Sequence, residues 1–508
     1  MTYRRPVHRA LGAAMVAAVL GLAAADASAG GTLRIAREQD STSLDPALTI
    51  LNSDIWVMQN MNCLLVKVND AGNDIVPDCA ESWTISPDGL TYTFTLREGL
   101  KFADGSNLKA SDVKFSLERV RDKPDSIWSG MFQLIKGIET PDDRTVAISL
   151  AEPSTPFLAQ LAIYAAAILP EAVVNEKGDA FGTSPVGAGA FRFVSWEPAD
   201  VIKLEKNEHY YDPSKPQLDA VEWYYIPNDN TRILKLQAGE LDVILFVPFN
   251  RIADLQQDSS LQVHLDPSSR MDHLLVNHLH APLDNKNVRK ALNMAIDQQA
   301  IVDVATSGFG TPANSFVPAG AMFYNADNPL YAYDPEAAKA MLAAEGVLDL
   351  SLKLLIASGD AVHEQIAVLL KDQLARVGVD VQIDKQEPGQ AWDSTVAGDY
   401  DISINYWTND IVDPDQKASF CVFWDEANQS YYTNYKNQEV SDLVLAGRVE
   451  LDAEKRRDIY YKIQQIAKDD VHWVDLYYSP FRNASRANVK GLLQNPMGKF
   501  TLEDVTIE

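Results

Sequence analysis

The stretch PDCAESWTISPDGLTYTFTLREGLKFADGSNLKASDVKFSLERV, Pro77 to Val120, decides the reading of the fold. Inside it, TYTFTLR (Thr91 to Arg97) alternates threonines with Tyr92, Phe94 and Leu96. That period of two marks a strand buried on one face. SDVKFSLERV then changes period: Val113, Leu117 and Val120 recur on one helical face, with Ser111 as the expected N-cap.

The same alternation of strand and helix continues downstream. DPEAAKAMLAAEG has Asp334 as N-cap, Pro335 at the first helical position and Gly346 after the end. LSLKLLIA follows as a buried strand. HEQIAVLLKDQLARVG aligns Ile366, Leu370, Leu374 and Val377 and stops at Gly378. VDVQID and DISIN are further strands, and DAEKRRDIYYKIQQIAKDD is a helix with Ile459, Ile463 and Ile466 inward. This rhythm predicts an α/β fold. TSPVGAGAFRF and TSGFGTPANSFVP are loops. Gly187 and Gly189 lack the third glycine and the preceding strand of a dinucleotide fingerprint, so packing turns are expected there.

Residues 1–29 have the pattern of a secretory leader: Arg4, Arg5 and Arg9, an apolar run of 15 residues, and Ala27-Ser28-Ala29 as cleavage site. No cysteine stands there for a lipid anchor, and no later run is long enough to span a bilayer. The chain is thus expected to be exported, cleaved near Ala29. Its net charge is −27, more negative still without the leader's three arginines and one aspartate. Such a surface argues against nucleic acid as a partner.

Cys63 and Cys79 flank LLVKVNDAGNDIVPD, where Asp70 to Asn73 reads as a turn between short strands. A hairpin pairing Val66 with Val76 also pairs the two cysteines, and an exported chain meets an oxidising compartment. A Cys63–Cys79 disulfide is expected, with Cys421 a buried free thiol.

Enzyme motifs are missing. There is no G-x-S-x-G, P-loop or C-x-x-C, and HEQIA has Ala367 where a zinc-protease helix needs its second histidine. His363 and Glu364 are read as solvated residues of a first helical turn. His273, His278 and His280 cluster in HLLVNHLH; alternation could put His278 and His280 on one face, but no third donor is implied locally, so a hydrogen-bonded or exposed strand end is expected rather than a metal site. No cofactor, metal or catalytic residue is assigned.

INYWTNDIVDPDQ, Ile404 to Gln416, is less ordinary. A strand runs into Tyr406 and Trp407, and Asp410, Asp413 and Asp415 follow. An EF-hand is excluded: there is no glycine at its sixth position, and Cys421 stands where a bidentate glutamate is needed. Asp413 and Asp415 suit turn capping of backbone amides. The residues leave a paired-carboxylate enzyme open.

Several segments together resemble family 5 of the extracellular solute-binding proteins, the dipeptide-, oligopeptide- and nickel-binding components of ABC importers. Pro77 to Val120 carries the specific match. GTSPVGAGAFRF, LLVNHLHAPLDNKNVRKALNMAIDQQAI and the C-terminal VKGLLQNPMGKFTLEDVTIE are similar to further family stretches. The resemblance implies a two-lobed clamshell of three domains, the first discontinuous: 30–60 with 201–275 and 476–508, then 61–200, then 276–475. It implies a monomer that binds a peptide or amine-bearing solute in the cleft and meets the membrane only through its permease and ATPases. In peptide-binding members a W-x-x-D segment supplies an aspartate for the ligand's ammonium group, and Trp407 and Asp410 stand at those positions. Tyr406 and Trp407 are expected to shield that contact, and Asn52, Ser53 and Trp56 to line the cleft.

Departures from the family pattern bear on the ligand. The arginine that clamps a dipeptide's carboxylate is absent from IASGDAVHEQ, where Asp360 and small residues stand. The ligand's far end is therefore neutral, longer than a dipeptide, or held elsewhere. KQEPGQAW places Pro388 where a tryptophan is expected, and Cys421 lacks a partner. The rival readings are a binder of an opine, sugar derivative or metal chelate, an exported peptidase, and a periplasmic chaperone or chemoreceptor partner.

Overall fold

The computed structural model describes residues 30–426 and 429–508. The expected leader lies outside the described residues.

Three larger sheets organise the chain. A seven-stranded sheet runs in the order Leu261–Asp266, Phe481–Arg486, Val243–Ile244, Thr32–Arg37, Ala220–Tyr225, Val201–Lys206 and Phe191–Glu197. A four-stranded antiparallel sheet orders Ala80–Ile85, Thr91–Leu96, Thr145–Leu150 and Ile135–Glu139. These two share one continuous apolar core, in which Phe94, Val146, Leu33 and Trp223 are all buried. They form the first lobe. The second lobe is built on a six-stranded sheet: Thr311–Pro312, Val474–Tyr478, Met271–Val276, Ile402–Trp407, Leu350–Ala357 and Val379–Gln386. Separate apolar clusters pack against it. The chain crosses between the lobes at residues 267–270 and 479–480, and Ser479 N–H donates to Arg270 O across the two crossings (3.2 Å).

Tyr92, Phe94 and Leu96 are buried as their alternation predicts. The helix that follows spans Ala110–Asp122 and buries Val113, Leu117 and Val120. Its N-cap is Lys109 rather than Ser111. Asp112 reaches back to accept the Lys109 N–H (2.9 Å), so the helix starts before the serine, which is left exposed. Asp334 caps the helix Pro335–Ala344 by accepting from Ala337 N–H (2.9 Å). Leu350–Ala357, the helix Ala361–Ala375 and Val379–Gln386 form a βαβ unit with parallel strands. In the helix Ala453–Asp470, Arg456, Tyr460, Ile463, Gln464 and Ala467 face inward, whereas Ile459 and Ile466 are only half-buried at the margin.

Sheet membership departs from the expected domain ranges at two strands. Phe191–Glu197, numbered with 61–200, forms a hairpin with Val201–Lys206 and is an edge of the seven-stranded sheet. Met271–Val276, numbered with the first domain, pairs with Ile402–Trp407 in the second lobe. We therefore propose that the domain limits lie near residues 190 and 270.

The Cys63–Cys79 bond is formed, with Cα atoms 6.0 Å apart, and Cys421 is a buried free thiol. The hairpin register differs by one residue: Val66 pairs with Pro77, and Lys67 with Val76. The loop closes between Asn69 and Asp74, and an irregularity at Asp78–Ala80, whose N–H groups both donate to Leu65 O, brings the cysteines back together. Opening this short loop by Cys63→Ala should cost about 3 kcal/mol. The measurement is denaturant unfolding with and without reductant; identical midpoints would contradict it. Gly187 is required by contact, since a Cβ there would lie 2.2 Å from Met61 O.

Candidate ligand-binding site

Strand Ile402–Trp407 sits inside the second-lobe sheet, flanked by Met271–Val276 and Leu350–Ala357. The loop leaving it crosses toward the first lobe, where Ile411 and Val412 are buried in that lobe's core. Asn409 N–H donates to Ser269 Oγ (3.0 Å). Gln416 holds Asp410 at two points: its Oε1 accepts the Asp410 N–H (2.9 Å), and its Nε2 donates to Asp410 Oδ2 (2.6 Å). Among the described residues no donor meets Asp410 Oδ1.

Asp410 lines a small chamber of about 60 Å³ with Asn52, Trp56, Tyr164 and Lys499. Burial pushes its carboxyl up to about 6, against the opposing hydrogen bond from Gln416. A second cavity, about 740 Å³, lies between the lobes. Asn52, Trp56, Thr408 and Phe481 belong to both walls, so the two spaces adjoin.

The expected site residues separate in this geometry. Asp410, Asn52 and Trp56 come together at the cleft. Tyr406 and Trp407 are successive strand residues and point to opposite faces. Tyr406 is 45% exposed, lines the larger cavity and lies under the Arg270 guanidinium at 4.0 Å. Trp407 lines neither space and packs behind the loop on Phe420 (5.3 Å) and Tyr431 (5.1 Å). The aromatic rings in the Asp410 chamber are Trp56, Tyr164 and Phe481 instead. Ser53 lines neither space; it is buried, and its Oγ donates to Asp40 O (3.0 Å).

Other sequence readings are corrected by packing. His363 is buried rather than solvated, with Nε2 at 3.0 Å from Asp272 Oδ1. His273 is a core residue stacked on Trp473 at 3.9 Å. His278 and His280 follow the strand's end; they meet His472 O (2.9 Å) and Asp401 Oδ1 (2.8 Å). Among the described residues no three metal-binding side chains converge. Asp413 caps a backbone amide as expected, but at the start of a helix, Pro414–Cys421, rather than in a turn, and it also pairs with Arg456. Asp415 caps no backbone amide among the described residues; it contacts Arg448 (3.3 Å) and Tyr460 (3.2 Å).

Sequence reasoning missed Arg270, Arg482 and Lys499. They come from the crossings and the C-terminal segment, where no local motif points at the cleft.

Residues 74–430 match the bacterial extracellular solute-binding proteins, family 5. The chain belongs to this family. Among curated relatives, it is 32% identical over 481 residues to a probable D,D-dipeptide-binding periplasmic protein, DdpA, of Escherichia coli K12, covering 92% of each chain. It is 29% identical over 438 residues to the glutathione-binding protein GsiB of E. coli O1:K1, covering 84% of this chain and 85% of that one. Among solved structures it resembles the periplasmic binding protein DppA of Helicobacter pylori in complex with the peptide STSA. That match has a TM-score of 0.80 and 30% identity over 94% of this chain and 98% of that one. AgaA from A. tumefaciens R10, in complex with agropinic acid, matches with a TM-score of 0.80 and 29% identity over 94% and 99%. The two-lobed solute-binding fold is shared with these neighbours. Among the described residues no helix is long and apolar enough to cross a membrane.

Proposed function

We propose that this solute-binding protein binds peptides or peptide-like amines between its lobes and delivers them to the permease of an ABC importer. The carrying observation is Asp410: a half-buried carboxylate lining the chamber, with one oxygen held by Gln416 and no donor on the other among the described residues. A ligand ammonium there makes a charge-assisted hydrogen bond in a partly dry space. Peptide-binding relatives of similar length support the reading. The mechanism is closure of two lobes on the solute followed by docking on the permease. We assign the protein to the periplasm as a monomer without its leader. It needs no cofactor and carries out no covalent chemistry.

Native mass spectrometry of protein purified from the periplasm without refolding tests this. Co-purified peptide masses support it; a single non-peptide mass moves the solute to the second reading. That reading, an opine, sugar derivative or metal chelate in the same cleft, is favoured by the agropinic acid complex of AgaA.

The reading also fixes a pH dependence. A protonated Asp410 cannot pair with an ammonium, so affinity should rise with pH through about 6. It should fall again as the peptide's amine loses its proton near about 8. In the unliganded protein the raised carboxyl contributes stability below the unfolded value of about 3.9, and that contribution is lost as pH rises through about 6. Calorimetric titration of a co-purified peptide should show the bell, with the acid limb absent in Asp410→Asn. Constant affinity between about pH 5 and 7 would contradict the assignment.

A further inference from the structure

Three arginines line the larger cavity: Arg251, Arg270 and Arg482. Two are occupied. Asp272 takes Arg270 through both carboxylate oxygens, at 2.9 and 2.8 Å. Arg251 donates to Asn230 Oδ1 (2.8 Å) and lies 3.8 Å from Asp254. The cavity's own carboxylates are also engaged. Asp229 and Glu38 face Arg232, and Asp360 caps the helix Ala361–Ala375.

Arg482 differs. It stands just after the second crossing between the lobes, on a strand registered against Leu265. Its Nε donates to Val247 O (3.0 Å) and its Nη1 to Ser479 Oγ (3.1 Å). The guanidinium lies over the Phe249 ring at 3.8 Å. Among the described residues no carboxylate stands at ion-pair distance from it, and Nη2 has no acceptor. An arginine held in place, half-buried and without a counter-ion carries a desolvation cost that an incoming anion offsets. Its planar fork suits a carboxylate. The cavity adjoins the Asp410 chamber through Asn52, Trp56, Thr408 and Phe481, so one extended molecule can reach both groups.

We propose that Arg482 anchors a carboxylate at the far end of the ligand, so that the solute is a zwitterion spanning from Asp410 to Arg482. Its ammonium lies in the small chamber and its carboxylate in the large one. The proposal rests on the peptide reading above and adds the second pole.

The test compares tri-, tetra- and pentaalanine, each as free acid and as C-terminal amide, by calorimetry on the mature protein and on Arg482→Gln. The wild-type protein is expected to prefer the acid about tenfold or more at one length at least. Arg482→Gln should bring acid and amide within about twofold of each other. The acid–amide comparison on the wild type needs no variant, so a folding defect cannot mask it. Equal wild-type affinity for acid and amide, or a preference kept by Arg482→Gln, overturns the Arg482 assignment and leaves the peptide reading standing. If no alanine peptide binds in either form, peptide binding itself fails, and the zwitterion with it.

Discussion

Asp410→Ala is expected to weaken binding of an amine-bearing ligand by tenfold or more. Gln416 holds Asp410 by one hydrogen bond from its Nε2 to the carboxylate and one accepted from the backbone N–H, so little ordering remains to be done when the ligand arrives. A charge-assisted hydrogen bond contributes about 1.5–3 kcal/mol net, and each 1.4 kcal/mol is about tenfold in affinity. Burial works in the same direction, because it makes the unpaired carboxylate costly and the ammonium its natural partner. Removing Asp410 also removes the acceptor for Gln416 Nε2. Asp410→Asn is therefore the closer comparison, since it keeps the shape and loses the charge. Calorimetry on both variants decides, and an unchanged dissociation constant for Asp410→Asn would sink the assignment.

Asp413→Ala is expected to lower folding stability by about 3–5 kcal/mol, with little of that effect in Arg456→Met combined with it. Asp413 and Arg456 form a bidentate pair at 2.7 and 2.6 Å, and their side chains are 5% and 4% exposed. Arg456 also donates to Gly447 O (2.7 Å), which ties the Ala453–Asp470 helix to its neighbour. Deleting one partner leaves a charge buried without compensation, whereas deleting both exchanges an ion pair for apolar packing. The helix cap adds about 1 kcal/mol, because Asp413 Oδ1 accepts the Asp415 N–H at 2.9 Å. Urea unfolding of the single and double variants measures this. A loss under about 1 kcal/mol for Asp413→Ala would show the pair to be dispensable.

Both residues lie in INYWTNDIVDPDQ, yet they differ in how far the sequence could carry them. Asp413 was legible as a turn cap of backbone amides, but neither the helix it starts nor its buried partner Arg456, 43 residues on, was. Asp410 was legible through W-x-x-D, yet neither ring expected to shield it lines its chamber: Tyr406 faces the larger cavity and Trp407 braces the loop from behind. Strand pleating sends Tyr406 and Trp407 to opposite faces, and only the sheet's position says which face is the cleft.

By itself the sequence determined what depends on neighbours along the chain. Alternation placed Tyr92, Phe94 and Leu96 inward; helical periodicity placed Val113, Leu117 and Val120; Asp334 with Pro335 started a helix. These are short-range effects of pleat, turn and cap, and the chain's local order carries them. The tertiary structure decided what depends on distant segments meeting. The hairpin closed one residue off register because its loop closes between Asn69 and Asp74. His363 was buried because Asp272, 91 residues away, lies against it. Arg482 became a free cation in the cleft because the two crossings place it there, with Phe249 beneath it and no carboxylate of its own among the described residues. Burial and charge compensation are properties of a three-dimensional neighbourhood, and a linear pattern does not contain them.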